Sequence, residues 1–188
     1  MDNIKQHFFL GESWLYFKVY IGFKTADLLL KEIIFPLTQQ LKQEKIISHW
    51  FFIRYNDPDF HIRIRLFLPN VDKLGSIIQN IHKSLQSFFD DGLIWKIQYD
   101  TYNREMERYG EQTIELSEHL FCADSEMVAS LLKSLYGDDC EKKRWLLSLR
   151  AIDELLSSFG YSIHRKLALL NLLQESFKNS SLIFMLNV

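Results

Sequence analysis

Residues Trp14 to Ile21 read WLYFKVYI, and the side chains alternate without a break. Leu15, Phe17, Val19 and Ile21 fall on one side, and Trp14, Tyr16, Lys18 and Tyr20 on the other. Such alternation, rich in aromatic and β-branched residues, is the pattern of a half-buried strand. Gly22 closes it. Period two returns in His49–Tyr55, in Phe60–Leu68 and in Leu93–Thr101. Between these runs the spacing twice becomes helical. That succession restricts the chain to few architectures.

The first helical run covers residues 25 to 44, with Leu29, Leu30, Ile33, Ile34, Leu37 and Leu41 recurring at helical intervals. Thr25 is the expected N-cap, and Pro36 is expected to kink or split the helix. The second run, Val71 to Phe89, carries an apolar stripe through Val71, Leu74, Ile77, Ile78, Ile81, Leu85, Phe88 and Phe89. Asn56-Asp57-Pro58-Asp59 is turn chemistry, so the middle strands form a hairpin. The order to residue 101 is therefore β-α-β-β-α-β, the split βαβ or ferredoxin-like arrangement. Helices should cover one sheet face. The other face would present Trp14, Tyr16, Lys18, Tyr20, His61, Arg63, Arg65, Lys96 and Gln98.

From residue 102 the periodicity is helical. Ile114–Phe121, Ser125–Tyr136, Glu141–Phe159 and Ser162–Phe177 are expected helices, with Asp124 or Ser125 as an N-cap and Gly137 and Gly160 as stops. The expected fold class is α+β: a sheet part over 10–101 and a helical part over 102–188, together one domain. No repeat or linker divides them.

Two stretches carry candidate chemistry. In HIRIR, period two puts His61, Arg63 and Arg65 on one sheet face. Neighbouring guanidinium groups repel, so a purely structural strand seldom places them there. Arginine forks grip carboxylate or phosphate bidentately. The pair reads as an anion clamp, or else as a solvated face bonded to nearby carboxylates. In YNREMERYG, Glu105 and Arg108 are neighbours on a helical turn. They form either a surface ion pair or a carboxylate and an arginine at the mouth of the same site. His61 is a weaker candidate acid or base. His49, His82, His119 and His164 lack companions. There is no Walker loop, GxGxxG, GxSxG or zinc signature, so neither a cofactor nor a metal is expected.

The charge balance bears on partners. Lys and Arg total 22 against 24 Asp and Glu, a net charge of −2. Bulk electrostatic attraction to nucleic acid is thereby disfavoured. Cys122 and Cys140 fit ordinary thiols of a reducing cytoplasm. No signal peptide or membrane-length apolar run is evident, so a cytoplasmic protein is expected.

Three segments together, WFFIRYNDPDFHIRIR (50–65), YDTYNREMERYG (99–110) and EHLFCADS (118–125), resemble the C-terminal glutamate-elimination domain of class I lantibiotic dehydratases. The same domain type stands alone in thiopeptide-type bacteriocin pathways. The opening WLYFKVYIG fits its start, and the resemblance runs from Trp14 to about Phe159.

The resemblance implies a fold and an activity. Such domains act on a ribosomal precursor peptide whose Ser or Thr has been esterified with glutamate. They remove the α-proton and expel glutamate, leaving dehydroalanine or dehydrobutyrine. A related branch forms the pyridine ring of thiopeptides. Arg63 and Arg65 fall on the HxRxR arginines, and Glu105 and Arg108 on the ExxRYG pair. The arginines would clamp the glutamyl carboxylates and the developing oxyanion, and Glu105 would position an arginine or relay a proton. A separate protein would supply glutamylation. The family also carries a late histidine in an HMxxNR-like motif. Here SSLIFMLNV places Phe184 there and no Arg after Asn187, so a C-terminally shortened domain is expected. Three functions therefore stay open: an eliminating lyase, a non-catalytic module binding precursor peptide or partner enzyme, and an RNA-binding split βαβ sheet.

Overall fold

The computed structural model describes residues 4–135 and 139–186, with side chains described as far as residue 178. Tyr136, Gly137, Asn187 and the side chain of Phe184 lie outside the described residues. The chain divides into two compact units, Met1–Ser134 and Leu135–Val188.

In the first unit the four expected strands form one antiparallel sheet. They are β2 (Trp14–Ile21), β3 (His49–Asn56), β4 (Phe60–Phe67) and β5 (Ile94–Asp100), after a short β1 (His7–Phe8). The sheet order is β3-β4-β2-β5. The β2–β3 connection passes over β4 and the β4–β5 connection over β2, which is the ferredoxin-like topology anticipated from the element order. A second ladder joins β1 to β6 (Tyr102–Asn103). Two-residue strands leave no periodicity, and sequence reasoning missed both.

The first helix departs from expectation in an instructive way. It begins at Phe23 with Gly22 at its cap, and Thr25 lies inside its first turn. The helix α1 (Phe23–Leu29) then widens into a π-helical segment, Leu30–Ile34, before α2 (Phe35–Gln43). Pro36 occupies the first turn of α2. Proline lacks an N–H and crowds the carbonyl four residues earlier, and the wider turn ahead of it accommodates both demands without ending the helix. The helix α3 (Leu74–Asp90) follows a 3₁₀ turn at Val71–Lys73, where Asn70 Oδ1 accepts from the Asp72 amide at 2.9 Å.

Leu15, Phe17, Val19 and Ile21 of β2 are buried with Ile62, Ile64 and Leu66 of β4. Leu29 of α1, Leu37 and Leu41 of α2, and Ile77, Ile81 and Leu85 of α3 complete this core. At about 25 cal/mol per Å² of apolar surface removed from water, a core of this size is the main stabilising element of the unit. Period two would put Trp95 on this face with Ile97 and Tyr99, but it is 53% exposed. The pairing of β2 with β5 shifts between Tyr20 and Ile21, skipping Trp95, so a bulge turns that side chain out.

The expected break at Asp124–Ser125 is absent. One helix, α5 (Ile114–Ser134), runs through it after the single turn α4 (Met106–Tyr109). Ser125 does not cap a helix. Its hydroxyl accepts the Phe52 amide of edge strand β3 at 3.0 Å.

The second unit contains α6 (Cys140–Ser158) and α7 (Ile163–Leu186). Gly160, with φ +74°, supplies the left-handed residue after α6, as expected of a stop. Lys166 of α7 bonds Asp153 Oδ1 at 2.5 Å and Ser157 Oγ at 2.7 Å of α6. Among the described residues no helix is long and apolar enough to cross a membrane.

Candidate active site

Strand register sorts the second sheet face into rows, three of which cross all four strands. Phe51, Arg65, Tyr16 and Asp100 stand side by side across β3, β4, β2 and β5. Ile53, Arg63, Lys18 and Gln98 form the next row. Tyr55, His61, Tyr20 and Lys96 form the third. The face expected from period two is thus present. It is not open along its whole length. Phe8, Tyr102 and Cys122 pack over Trp14, Tyr16 and Phe51, making a second apolar cluster at one end.

Arg65 lies under that cover and is only 7% exposed. Its guanidinium carbon is 4.5 Å from the Tyr16 ring centre, 4.7 Å from Tyr102 and 5.0 Å from Phe51. Aromatic faces stabilise a cation but give its N–H groups no acceptor. Among the described residues, Nε and Nη1 of Arg65 have no hydrogen-bond partner. Burial pulls the guanidinium below its ordinary pKa, opposed by Tyr16 and Tyr102. Leaving such donors unsatisfied is costly, so the arrangement is poised for an anion. Arg65 also lines a cleft with Tyr102, Asn103, Glu105 and Tyr109.

Arg63 is held differently. Its Nε donates to His61 Nε2 at 3.1 Å, and its guanidinium stacks 3.4 Å above the Tyr55 ring. His61 Nδ1 bonds the Asp59 carbonyl at 2.8 Å, so both ring nitrogens of His61 are engaged. Lys18 bonds Asp100 at 2.6 Å. Burial raises the Asp100 carboxyl, but the Lys18 hydrogen bond, the Thr101 amide and the Lys18 and Arg63 charges together outweigh it and hold the group below its ordinary value.

Glu105 and Arg108 sit at and within α4, 3.4 Å apart and mostly exposed, at 61% and 71%. As an ion pair this is worth under about 1 kcal/mol. Gly110, with φ +78°, ends the turn that presents them. The structure therefore brings Arg65 and Glu105 to one cleft, keeps Arg63 and His61 together two residues along β4, and leaves Arg108 at the surface beside Glu105.

Sequence reasoning missed a buried network beneath the cleft. Glu118 of α5 accepts Arg104 Nε at 2.8 Å and Nη2 at 2.7 Å, and the Tyr102 hydroxyl at 2.8 Å. Arg104 Nη1 donates to the Lys5 carbonyl at 3.0 Å. Burial, followed by the Glu118 charge and hydrogen bond, raises the Tyr102 hydroxyl far above its ordinary pKa. A signal was present: Glu118 stands four residues from Ile114 and Cys122 on the buried side of α5. A carboxylate at that position demands a partner. Among the described residues no group of His, Cys, Asp or Glu could hold a metal ion.

The family model described as Lantibiotic biosynthesis dehydratase C-term matches residues 14–183. The chain belongs to that family. The chain is 29% identical over 180 residues to the subtilin biosynthesis protein SpaB of Bacillus subtilis, covering 94% of this chain and 17% of SpaB. It is 35% identical over 126 residues to the nisin biosynthesis protein NisB of Lactococcus lactis subsp. lactis, covering 64% of this chain and 12% of NisB. The chain thus spans under a fifth of these relatives. Among solved structures, the tRNA-dependent lantibiotic dehydratase MibB from Microbispora sp. 107891 aligns with TM-score 0.58 and 29% identity, over 65% of this chain and 12% of MibB. TsrL, 18% identical, aligns with TM-score 0.54 over 66% of this chain and 36% of its own, and shares the fold.

Proposed function

We propose that this dehydratase-family domain eliminates glutamate from glutamylated Ser or Thr of a precursor peptide. The observation that carries the reading is Arg65, a buried guanidinium with two unsatisfied N–H groups in a cleft shared with Glu105. In this elimination the Cα–H bond breaks, its electrons form the Cα=Cβ bond, and the Cβ–O bond breaks to release glutamate as a carboxylate. Negative charge grows on the peptide carbonyl oxygen and on the leaving carboxylate. Fixed cations in a desolvated site stabilise both. Arg65 serves the developing charge, Arg63 and Arg108 the glutamyl carboxylates, and Glu105 relays the proton. His61 acts with this set through Arg63.

The family match crosses both compact units, from 14 to 183, which supports reading 1–188 as one elimination-type domain. Its partners would be the precursor peptide and a separate glutamylating protein, in the cytoplasm. The decisive experiment gives the purified chain a glutamylated precursor peptide and follows peptide mass and free glutamate. Release of glutamate with one dehydro residue per ester is expected. An unchanged peptide mass refutes the activity. Tight binding of that peptide without turnover would instead establish the binding-module reading.

A further inference from the structure

We infer that His61 is a positioning residue for Arg63, acting as a neutral hydrogen-bond acceptor that fixes the guanidinium, rather than as an acid or base. The partners of its two nitrogens determine the tautomer. The Asp59 carbonyl can only accept, so Nδ1 carries the proton. Arginine can only donate, so Nε2 presents a lone pair to Arg63 Nε. Neither nitrogen is left to exchange a proton with a substrate. The ring is 1% exposed, lying 4.7 Å from Tyr20 on β2 and 5.6 Å from Tyr55 on β3. Tyr55 also carries the Arg63 guanidinium on its face at 3.4 Å. One contact holds the guanidinium by its edge and the other by its plane. The Nη groups are the donors that remain for a carboxylate.

Protonation would break this arrangement. An imidazolium Nε2–H would face Arg63 Nε–H, donor against donor and charge against charge. The other charged groups near the ring are Lys18 on β2, Lys96 on β5 beside Tyr20, and Asp57 in the hairpin turn. Cations prevail there. Burial first, and Arg63 and Lys18 after it, hold His61 below its ordinary pKa, against the Asp59 hydrogen bond and Asp57. The neutral form is thus favoured at working pH, and the arginine loses its anchor in acid.

The kinetic consequence rests on the elimination reading; the spectroscopic one does not. In His61→Gln the amide oxygen can accept from Arg63 and the amide N–H₂ can donate to Asp59. At neutral pH the variant should recover most of the turnover that His61→Ala loses, while its acid limb moves to lower pH than in the wild type. His61→Ala should lose about 100-fold in turnover through misplacement of Arg63. Independently, ¹⁵N spectra of the wild-type chain should show the Nδ1–H tautomer and an Arg63 Nε–H resonance that shifts as His61 titrates. An Nε2–H tautomer, an Arg63 resonance indifferent to that titration, or a folded His61→Gln variant with an unmoved acid limb overturns the inference. A wild-type chain that releases no glutamate fails the elimination reading alone, and the spectra then decide the role of His61.

Discussion

Arg104 grips Glu118 through two parallel hydrogen bonds of 2.8 and 2.7 Å, and both side chains are at most 5% exposed. The pair joins the β6 segment to α5 and anchors the Tyr102 ring that flanks Arg65. Its charges cancel each other, so the carboxylate nearest that ring does not neutralise Arg65.

Glu118→Gln keeps an acceptor for the Tyr102 hydroxyl but removes the charge opposite Arg104. The buried guanidinium is left with only the exposed Glu115 carboxylate, 3.5 Å from Nη1, as counter-charge. The expected destabilisation lies toward the lower end of about 3–5 kcal/mol, read from urea unfolding. Replacing both partners, as Arg104→Met with Glu118→Met, should recover most of that loss. A double variant as unstable as the single would contradict the account.

Arg65→Ala should slow elimination by about 100- to 1,000-fold, the range seen when one donor to a developing oxyanion is removed. Glutamylated peptide should accumulate. Arg65→Lys should rescue little, because an ammonium cannot reproduce a planar fork packed among three rings. Mass spectrometry of the peptide after a fixed time measures both.

His49 makes stability fall in mild acid. Its ring stacks on Phe67 at 4.6 Å, and burial, then His119, Lys42 and Arg104, lowers its pKa to about 4. The unfolded chain takes up this proton near the ordinary value of about 6.5, whereas the folded chain refuses it until about 4. Stability from this group is therefore complete above 6.5 and declines as pH falls through that window. Thermal unfolding should show the decline, and His49→Phe should flatten it relative to wild type.

The two thiols should differ in reactivity. Burial raises Cys122 to about 12, with Glu118 and Glu126 adding to the effect, while Cys140 is partly accessible. Iodoacetamide at pH 8 should label Cys140 and spare Cys122 in the folded chain, since the thiolate is the reactive form. Equal labelling before unfolding would rule this out.

The sheet was legible because period two is a local property. Trp14–Ile21 and the hairpin around Asp57-Pro58 announce themselves without reference to any distant residue. The facing of Arg63 and Arg65 followed from the same rule. What escaped depended on tertiary partners. Ser125 reads as a cap by composition, yet the unpaired Phe52 amide claims its hydroxyl. The strand at Tyr102–Asn103 exists only because His7–Phe8 lies beside it. The unequal fates of two arginines two residues apart were likewise invisible. The rings of Tyr102 and Tyr55 decide them, one reaching Arg65 and the other Arg63.

The Ser125 hydroxyl also gives the two flanks of the sheet different characters. On the β3 side, α5 and this hydroxyl occupy the margin. At the opposite end of the strand order, β5 has no strand along its outer margin among the described residues. The Ser125 hydroxyl thereby keeps a further strand from pairing along β3 where Phe52 would offer its amide, which protects that margin of the sheet from edge-to-edge association.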